Sequence, residues 1–442
     1  MLKLVSDINS LFWGLILIVL LVGTGLYFTI RLNFVQIRRF GKGLKQLTGD
    51  FSLSGEEAGK HGMSSFQALA TAVAAQVGTG NLAGAATAIV SGGPGAIFWM
   101  WVSAFFGMAT IYAEAILSQL FKKNVDGTVT GGPSYYIENM FNKNFLAKFL
   151  AIFFSVSCIL ALGFMGNGVQ ANSISVAFEH AFSIPPYITA IVIAILGAGV
   201  FFGGVKRIAS FTEKVVPTMA IIYVIMCIII IGINHNYVLM AFKAIFVNAF
   251  SSEAILGGVA GAGMKKAIRY GVARGLFSNE AGMGSTPHAH AVAKVKNPNA
   301  QGNLAIITVF IDTFIVLTLT ALVILTSHVD FKDYTGIILT QKVFEGVCGY
   351  FGVVFVAISL FFFAFSTIIG WYFFGEANIR YLFGPKAINI YRICVMACII
   401  FGSVQKVELV WELADMLNGF MVIPNLIALI YFHKLIKKAS QN

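Results

Sequence analysis

The sequence predicts an all-α polytopic membrane protein with eleven helices, and three observations support this. Of its 442 residues, 58% are hydrophobic and only 11% are charged, whereas a soluble chain carries about 25% charged residues. Apolar runs of 18 or more residues, such as Ile8 to Ile30 and Ile188 to Val205, recur as far as Phe432, which is typical of membrane-spanning helices. Two of the runs are interrupted by glycines and polar residues.

The predicted helices belong to a single membrane domain covering residues 1–442. The first apolar run is too long for a signal peptide and lacks a small-residue cleavage site, so we expect a retained helix. Without this extra helix, ten remain, in two sets of five at residues 66–233 and 254–434. The eleven predicted helices are 8–30, 66–90, 95–121, 147–179, 186–205, 209–233, 254–293 (interrupted), 303–327, 351–382, 388–403 and 409–434.

Basic residues predict the orientation, because cytoplasmic loops of membrane proteins are rich in Lys and Arg. An outside amino terminus and a cytoplasmic carboxyl terminus, in a bacterial-type plasma (inner) membrane, place most of these residues on the cytoplasmic side. The same bias explains the net charge of +11 without nucleic acid. The cytoplasmic set is Arg31, Arg38, Arg39, Lys42, Lys45, Lys60, Lys122, Lys123, Lys143, Lys148, Lys206, Arg207, Lys214, Lys294, Lys296, Arg380, Lys386, Lys434, Lys437 and Lys438. The opposite loops carry Lys243, Lys332, Lys342, Lys406 and a cluster of Lys265, Lys266 and Arg269.

The two interruptions open the two sets of five helices, one between Gln76 and Gly84 and the other between Arg274 and Ser285. Each glycine costs a helix about 1 kcal/mol relative to alanine, and unpaired backbone groups are tolerated in lipid only where they line a cavity. Close helix packing is the other explanation for the small residues. Asn81 and the Ser278-Asn279-Glu280 stretch favour a central binding site instead.

An unwound helix in the middle of a membrane exposes amide donors on one half and carbonyl acceptors on the other. The donor end suits a carboxylate, and the free carbonyls suit a hard cation such as sodium. A zwitterion needs both kinds of partner. The interruptions therefore favour an amino acid with sodium over a sugar or a metal.

Ionisable residues inside predicted spans are costly and usually functional. Glu114, Asp312 and Glu280 are such residues, and we expect them to support the site by bracing exposed backbone donors. Asp415 and Glu412, in the last helix, are candidate gating or packing partners.

Other polar residues give weaker indications. His288 and His290 follow the second interruption, and we expect them to be solvated side chains at a helix end. The five cysteines show no metal-ligand spacing. Four of them lie inside apolar runs, where Cys behaves as a small hydrophobe, so we predict no disulfide. We expect no cofactor.

Several motifs together resemble one known family, the alanine or glycine:cation symporters (sodium:alanine symporters) of the amino acid–polyamine–cation superfamily. They cover nearly the whole chain and occur in the expected order. The motifs are Gly78-Thr79-Gly80-Asn81, Gly92 to Trp101, Gly131-Gly132-Pro133-Ser134-Tyr135-Tyr136, Arg274 to Ser285, Phe365-Ser366-Thr367 to Gly375-Glu376, and Ala414-Asp415 to Asn418-Gly419.

The resemblance implies a five-plus-five inverted repeat like that of the bacterial leucine transporter, preceded by one extra helix. It also implies sodium-coupled symport of small neutral amino acids, alanine or glycine, into the cell by alternating access. The expected partners are the amino acid, the sodium ion as coupling ion, and the lipid bilayer. No nucleic acid and no obligate protein partner are expected.

The resemblance also assigns residues to the site. The implied substrate-binding set is Gln76, Gly78, Thr79, Gly80, Asn81, Phe164, Asn167, Gln170, Phe277, Ser278, Asn279 and Trp371. The implied sodium ligands are carbonyls of Ala74, Val77 and Phe363 with the hydroxyls of Ser366 and Thr367. A second sodium site, present in some relatives, would involve Asn81, but the sequence does not establish its other ligands.

Three other functions compete with this hypothesis. Proton-coupled transport of another small amino acid would use Asp312 or Glu280 as the carrier. A channel would need a continuous polar pore, and the sequence shows no filter motif. A membrane enzyme would need a nucleophile–base pair or a metal cluster, and we find no such constellation.

Overall fold

The computed structural model describes residues 2–49, 62–125, 127–250, 263–327, 329–331, 333–405 and 407–441. Three basic residues used to predict the orientation, Lys60, Lys332 and Lys406, lie outside the described residues. The same is true of residues 254–262 of the predicted seventh helix.

Helices make up most of the described chain. The α-helices are Leu2–Leu11, Leu17–Arg31, Val35–Arg38, Phe40–Gly49, Ser65–Gln76, Ala85–Gly92, Gly95–Leu120, Pro133–Ile137, Phe145–Cys158, Asn167–Phe182, Pro186–Phe201, Gly204–Ile233, His235–Phe250, Met264–Asn279, Pro287–Val292, Pro298–Val309, Thr318–Leu325, Gly336–Cys348, Tyr350–Phe383, Ile388–Ser403, Val407–Tyr431 and His433–Gln441. Short 3₁₀ turns cover Met140–Lys143 and Pro385–Ala387, and the strands Lys123–Val125 and Thr128–Thr130 form an antiparallel hairpin.

The protein is a multi-pass membrane protein. In the described residues, two bent helix pairs pass the length and hydropathy requirements for a span when each pair is taken together. These are Leu17–Arg31 with Val35–Thr48, bent by 63°, and Ser65–Gln76 with Gly80–Gly92, bent by 44°. Seven unbent helices in the same residues also meet the requirements: Gly95–Leu120, Phe145–Phe182, Gly204–Ile233, Pro298–Leu325, Tyr350–Phe383, Pro385–Ser403 and Trp411–Tyr431.

The two other predicted spans are shorter than expected. The predicted helix 186–205 ends at Phe201, because Gly204 adopts a φ of +62° that only glycine takes without strain. The predicted seventh helix is represented by two separate pieces, Met264–Asn279 and Pro287–Val292. The total of eleven spans and the five-plus-five repeat remain predictions.

The longest described helices that the sequence analysis missed are His235–Phe250 and Gly336–Cys348. Both are shorter than a span and contain polar residues, so a search for long apolar runs passes over them. The first packs on Gly95–Leu120, where Trp99 Nε1 donates to the Ala249 carbonyl at 3.1 Å. The second reaches the first interruption, where Thr340 Oγ1 donates to the Leu82 carbonyl at 3.1 Å.

Several spanning helices contain a π-helical segment, a wider turn that is frequent at functional sites. In the described residues these segments are Phe12–Ile16, Gly80–Gly84, Ile159–Gly166 and Phe310–Leu317. The last three contain residues of the predicted site, so the wider turns occur where polar side chains gather.

Candidate functional site

The first break lies between Gln76 and Gly80. The helix before it starts with a capping box, in which Ser64 Oγ accepts from the Gln67 amide and Gln67 Oε1 accepts from the Ser64 amide, each at 3.1 Å. It ends at Gln76 because Val77 is extended, with φ −81° and ψ 91°. The helix resumes as a π-helix at Gly80. We call these two pieces, Ser65–Gln76 and Gly80–Gly92, the first broken helix.

The second break follows Asn279. Glu280 takes the left-handed conformation, with φ 57°, and Gly282 and Gly284 follow with φ 86° and 80°. These values favour glycine, since a side chain at such a φ is strained. The helix resumes at Pro287, and we call Met264–Asn279 with Pro287–Val292 the second broken helix.

Glu114 braces the second break from the neighbouring helix. Its carboxylate accepts the amides of Gly282 at 3.2 Å and Gly284 at 3.0 Å, and the side-chain amide of Asn425 at 2.6 Å. Glu114 is fully buried. The carboxylate therefore satisfies backbone donors that the unwound turn exposes in an apolar environment.

We expect Glu114→Ala to lower the thermal unfolding midpoint of the detergent-solubilised protein by several degrees, because three donors lose their acceptor and each buried unpaired donor costs about 1–3 kcal/mol. Fluorescence-detected size-exclusion chromatography after heating measures the shift. Glu345→Ala is the control, since Glu345 pairs with Lys342 at 2.8 Å on the surface and exposed pairs contribute little. Equal midpoints for the two variants would contradict the bracing role.

The two broken helices meet directly. Gln76 Nε2 donates to the Asn279 carbonyl at 2.7 Å. A Cβ on Gly80 would lie 3.0 Å from Ser278. This close approach explains the glycine at position 80 and joins the ends of the two helices at one point.

Asp312 links both breaks. Its Oδ1 accepts from Asn81 Nδ2 at 2.7 Å and from Ser278 Oγ at 2.9 Å, while Oδ2 accepts from Thr313 Oγ1 at 2.7 Å. We expected Asp312 to brace backbone donors, and its contacts are instead with side chains. The π-helical turn around Asp312 widens the helix at the point where the three donor side chains meet its carboxylate.

Glu280 also differs from the expectation. Its carboxylate accepts from the Trp371 indole and, at 2.5 Å, from Ser285 Oγ, rather than from backbone amides. Its left-handed backbone turns the side chain away from its own helix axis, so it reaches the facing helix Tyr350–Phe383. Glu280 thereby fixes the position of Trp371.

The predicted sodium ligands lie together. Thr367 Oγ1 is 2.9 Å from the Ala74 carbonyl, 3.4 Å from that of Val77 and 3.0 Å from that of Phe363. Ser366 Oγ is 2.8 Å from the Phe363 carbonyl. The carbonyls of residues 74 and 77 precede the first break, and those of the facing helix complete a cluster of oxygens.

The predicted substrate residues at the first break are in contact with one another. Gln170 Oε1 accepts from the Thr79 amide at 3.2 Å, and Asn81 Oδ1 accepts from the Gly78 amide at 3.0 Å. A Cβ on Gly78 would lie 2.4 Å from Thr367 Oγ1. The predicted substrate and sodium groups therefore adjoin at Gly78.

Aromatic side chains cover the other side of the junction. The Phe277 ring meets Trp371 edge to face, with centroids 5.9 Å apart. Gly166 allows Trp371 to approach, since a Cβ there would lie 2.6 Å from the indole. Sequence reasoning missed Gly166; the only available signal was its position one turn before Gln170.

Phe164 and Asn167 are placed differently from the other predicted wall residues. The Phe164 ring packs against Tyr391, with centroids 5.8 Å apart, and it is only partly buried. Asn167 is buried, and its Nδ2 donates to the Gly163 carbonyl of its own helix at 3.1 Å. The described contacts thus join Asn167 to its own helix and Phe164 to Tyr391.

Three buried polar atoms of predicted substrate residues have no hydrogen-bond partner among the described residues: Gln76 Oε1, Thr79 Oγ1 and Asn167 Oδ1. Buried polar atoms are nearly always paired, and exceptions call for an explanation such as a ligand. Two of the three are acceptors and one is a hydroxyl. An ammonium can donate to the two acceptors, and the hydroxyl can donate to a carboxylate.

A cavity of about 710 Å³ opens on one side of the junction. Arg274, Trp411 and Asp415 line it. Arg274 forms an ion pair with Asp415 at 2.9 Å and lies 4.9 Å from the Trp411 ring centre, and Trp411 packs on Phe277 at 5.0 Å. These four side chains connect the cavity wall to Phe277 of the second broken helix, and we call them the gate cluster.

Hydrogen bonds close the opposite ends of the two broken helices, away from the cavity. The backbone amide of Met63 donates to the Val292 carbonyl at 3.1 Å, and the Met63 carbonyl accepts from the Lys294 amide at 3.0 Å. These bonds join the start of the first broken helix to the end of the second. Gln119 and Lys122 each donate to the Ala293 carbonyl at 3.0 Å. These hydrogen bonds hold the two ends together.

The expectation that His288 and His290 are solvated is wrong. Both are buried, with 2% and 0% of their surface exposed. His288 stacks between Phe154 and Phe374, and its Nδ1 lies 2.6 Å from the Ser285 carbonyl. The half-helix that carries them lies inside the packed helices, which a sequence position next to basic residues does not reveal.

Two broken helices that meet at a buried polar junction, beside a cavity, are typical of secondary membrane transporters. The sequence comparisons agree. The model of the sodium:alanine symporter family matches residues 1–442, and the chain belongs to this family. Members of this family are transporters, not enzymes, and carry out sodium-coupled amino-acid symport.

Curated relatives match along almost their whole length. The chain is 43% identical over 433 residues to the sodium/alanine symporter AgcS of Methanococcus maripaludis, covering 97% of this chain and 94% of that protein. It is 41% identical over 442 residues to the probable sodium/glutamine symporter GlnT of Bacillus subtilis, covering 99% and 90%.

Solved structures share the fold at low sequence identity. The transporter MhsT in complex with L-phenylalanine aligns with a TM-score of 0.60 and 12% identity, over 87% of this chain and 98% of that one. A Na⁺-coupled sialic acid symporter aligns with a TM-score of 0.57 and 13% identity, over 91% and 85%. The described residues therefore share the overall fold of these two proteins.

Proposed function

We propose that the protein carries a small neutral amino acid, alanine or glycine, into the cell together with sodium by alternating access around the two broken helices. The observation that carries this proposal is the set of three orphaned polar atoms on Gln76, Thr79 and Asn167, which lie on residues that the family resemblance assigns to the substrate. The relative named a sodium/alanine symporter supports the choice of substrate.

The substrate carboxylate would bind the amides of Gly78, Thr79 and Gly80. In the structure the amides of Gly78 and Thr79 donate to Asn81 and Gln170, so these side chains hold the donors in place until a carboxylate takes over. The partial positive charge of a helix amino end favours the same group.

The ammonium would lie toward Ser278 and Asn279 on the second broken helix. Gln76 Nε2 donates to the Asn279 carbonyl, and Gln76 Oε1 is left as an unpaired acceptor. The acceptors for the ammonium would then belong to both helices. A zwitterion bound this way would tie the two helices together more strongly than either end alone.

A small side chain suits the space that the aromatic residues leave. Trp371 is fixed by its bond to Glu280 and by contact with Gly166, and Phe277 packs on its edge. Because each of these contacts is made by a fully or nearly fully buried residue, the indole has little freedom to move aside for a larger substrate.

The sodium ion would bind the carbonyls of Ala74, Val77 and Phe363 with the hydroxyls of Ser366 and Thr367. Sodium prefers such oxygen ligands, and unwound helices in transporters provide them. Thr367 Oγ1 lies within hydrogen-bond distance of all three carbonyls, and its single proton is donated to one of them at a time. A bound ion would replace these bonds and join the first broken helix to the helix Tyr350–Phe383.

The direction of transport depends on which side of the membrane each end of the junction faces. We propose that the cavity faces the outside and that the closed end, at Met63 and Ala293, faces the cytoplasm of a cell with an inner membrane. The amino terminus is then outside and the carboxyl terminus inside. The two sets of five helices, 66–233 and 254–434, would form the inverted repeat whose halves move around the site.

Uptake of labelled alanine into proteoliposomes tests the proposal. We expect accumulation with an inward sodium gradient and none above background when potassium replaces sodium. Competition by twenty unlabelled amino acids should leave glycine and alanine as the strongest inhibitors. Equal uptake in potassium would refute sodium coupling, and a large competitor that outcompetes alanine would refute the substrate.

Proton coupling is a second candidate, because Asp312 and Glu280 are fully buried carboxylates that touch the two breaks. The described contacts of Asp312 are with neutral donors, so a proton would be a chemically reasonable countercharge. A pH gradient without sodium would then drive alanine uptake, and Asp312→Asn would abolish it. Uptake that needs sodium at every pH excludes this candidate.

A further inference from the structure

The helix that precedes the five-plus-five core, residues 2–31, packs along the helix Val407–Tyr431, which we call the gate helix. Trp13 and Leu17 are buried in this contact, with 6% and 0% of their surface exposed. A Cβ on Gly419 would lie 3.0 Å from Leu17, so the glycine permits the close approach. Phe12 adds an edge-to-face contact with Phe420 at 5.4 Å.

Two polar contacts join the same helices next to the gate cluster. Asn9 Nδ2 donates to Glu412, at 2.7 Å to its carbonyl and 2.5 Å to its carboxylate. Trp13 Nε1 donates to the Asp415 carbonyl at 3.0 Å. Both contacts are made to the same helical turn, residues 411–415. This turn carries Trp411 and Asp415, the two gate-cluster residues that belong to the gate helix.

Pro424 divides the gate helix into two parts. A proline inside a helix removes one backbone hydrogen bond and permits a kink. Beyond it, Asn425 is fixed to the core through Glu114 and the Gly282 carbonyl, at 2.6 and 2.9 Å. The part before Pro424 contacts the preceding helix at residues 412, 415, 419 and 420, and it also contacts the core, where Asp415 pairs with Arg274 and Phe420 packs on Phe153.

The preceding helix is itself fixed to the core in its carboxyl-terminal half. A Cβ on Gly25 would lie 2.7 Å from the backbone of Phe106, and one on Gly282 would lie 2.7 Å from Leu21. The carboxyl-terminal half thus packs on the Gly95–Leu120 helix and on the second break. The amino-terminal half contacts the 411–415 turn of the gate helix. A π-helical turn at Phe12–Ile16 separates the two parts.

We propose that Asn9 and Trp13 are positioning residues that hold the 411–415 turn of the gate helix, and so set how readily the gate cluster closes over a bound amino acid. The inference rests on the proposed function, since closure matters only if substrate enters through the cavity. It gives the helix before the core a part in transport, although that helix contributes none of the predicted substrate or sodium ligands.

The test is the accessibility of the cavity in the full-length protein. A cysteine introduced by Thr87→Cys lies in the cavity wall, and its labelling by a membrane-impermeant maleimide is compared with that of the parent chain. Thr87 lines the same cavity as Arg274, Trp411 and Asp415. In sodium, added alanine is expected to slow the labelling, because movement of these gate-cluster residues over the bound amino acid narrows the cavity around the cysteine. The alanine concentration that gives half protection is the readout.

Trp13→Phe keeps an aromatic ring and removes the donor to Asp415. We expect the alanine concentration for half protection, and the KM for uptake, to rise about threefold to twentyfold, the effect of losing one interhelical hydrogen bond in a membrane. The maximal uptake rate should be retained. Asn9→Leu removes the other donor and is expected to shift the same two quantities in the same direction.

The matched control is Trp99→Phe, which removes an indole donor to a carbonyl, that of Ala249, on a different pair of helices. Half protection in Trp13→Phe and Asn9→Leu at the same alanine concentration as in Trp99→Phe would overturn the inference. If the Thr87→Cys protein shows no sodium-dependent alanine uptake at all, the proposed function fails, and that result is distinct from an unchanged Trp13 variant in a transporting protein.

Discussion

Gly78→Ala is expected to abolish most sodium-dependent uptake. A methyl group at this position would lie 2.4 Å from Thr367 Oγ1 and 3.2 Å from Gln170 Oε1. Gly78 does not have a positive φ, so the effect is steric and displaces either the predicted sodium ligand or the residue that holds the Thr79 amide. Overpacking of this kind costs about 1–3 kcal/mol, which corresponds to roughly 5- to 150-fold weaker binding.

The measurement is the initial rate of alanine uptake per amount of reconstituted protein. Gly199→Ala is the matched control, because no atom lies within 4 Å of a Cβ there, and it should transport normally. Both variants should elute as single peaks in size-exclusion chromatography. Normal uptake by a well-folded Gly78→Ala protein would show that Gly78 does not lie between the substrate and the ion.

Thr367→Ala is expected to raise the sodium concentration for half-maximal uptake by about tenfold or more. The hydroxyl contacts three carbonyls of the predicted sodium site, and a loss of 1.4 kcal/mol in ion binding gives a factor of ten. At saturating sodium, the KM for alanine should change much less, because the described contacts of Thr367 are with the oxygens assigned to the ion. Uptake at varied sodium concentrations separates the two quantities.

Two controls accompany this prediction. Thr367→Ser keeps the hydroxyl and should retain a sodium requirement near that of the parent. Thr326→Ala removes a hydroxyl that donates to the Leu322 carbonyl of its own helix at 2.8 Å, and it should leave the sodium requirement unchanged. An unaltered sodium requirement in Thr367→Ala would show that sodium binds elsewhere in the protein.

The sequence predicted the membrane fold and the two breaks for physical reasons that are local. Charge is depleted in every span, and glycine and polar residues at mid-span are costly unless the backbone leaves the helix there. The break positions agree with the structure, where regular helix is absent at Val77 and from Glu280 onward. Short helices such as His235–Phe250 escaped because their apolar residues are too few for a span.

The contacts of the site could not be read from the sequence in the same way. Three of the predicted sodium ligands are carbonyls, which every residue has, so only the family resemblance indicated Ala74, Val77 and Phe363. Asn81 and Asp312 are 231 positions apart, and no periodicity predicts that they meet.

The carboxylates show the same limit. A sequence indicates that a buried charge such as Glu280 needs partners, and it does not indicate that Trp371 is one of them. The contact of Trp13 with the gate helix was missed for a related reason, since the first helix looks like an ordinary apolar span. The ligand roles of the site residues remain predictions.

The central claim is that the amino acid and sodium bind together between the two broken helices, so each must strengthen the binding of the other. Equilibrium binding of labelled alanine to the purified protein, over a range of sodium concentrations, measures this directly. We predict that sodium tightens alanine binding and that alanine lowers the half-saturating sodium concentration by the same factor, as linkage requires. An alanine affinity that is identical in sodium and in potassium would contradict the account.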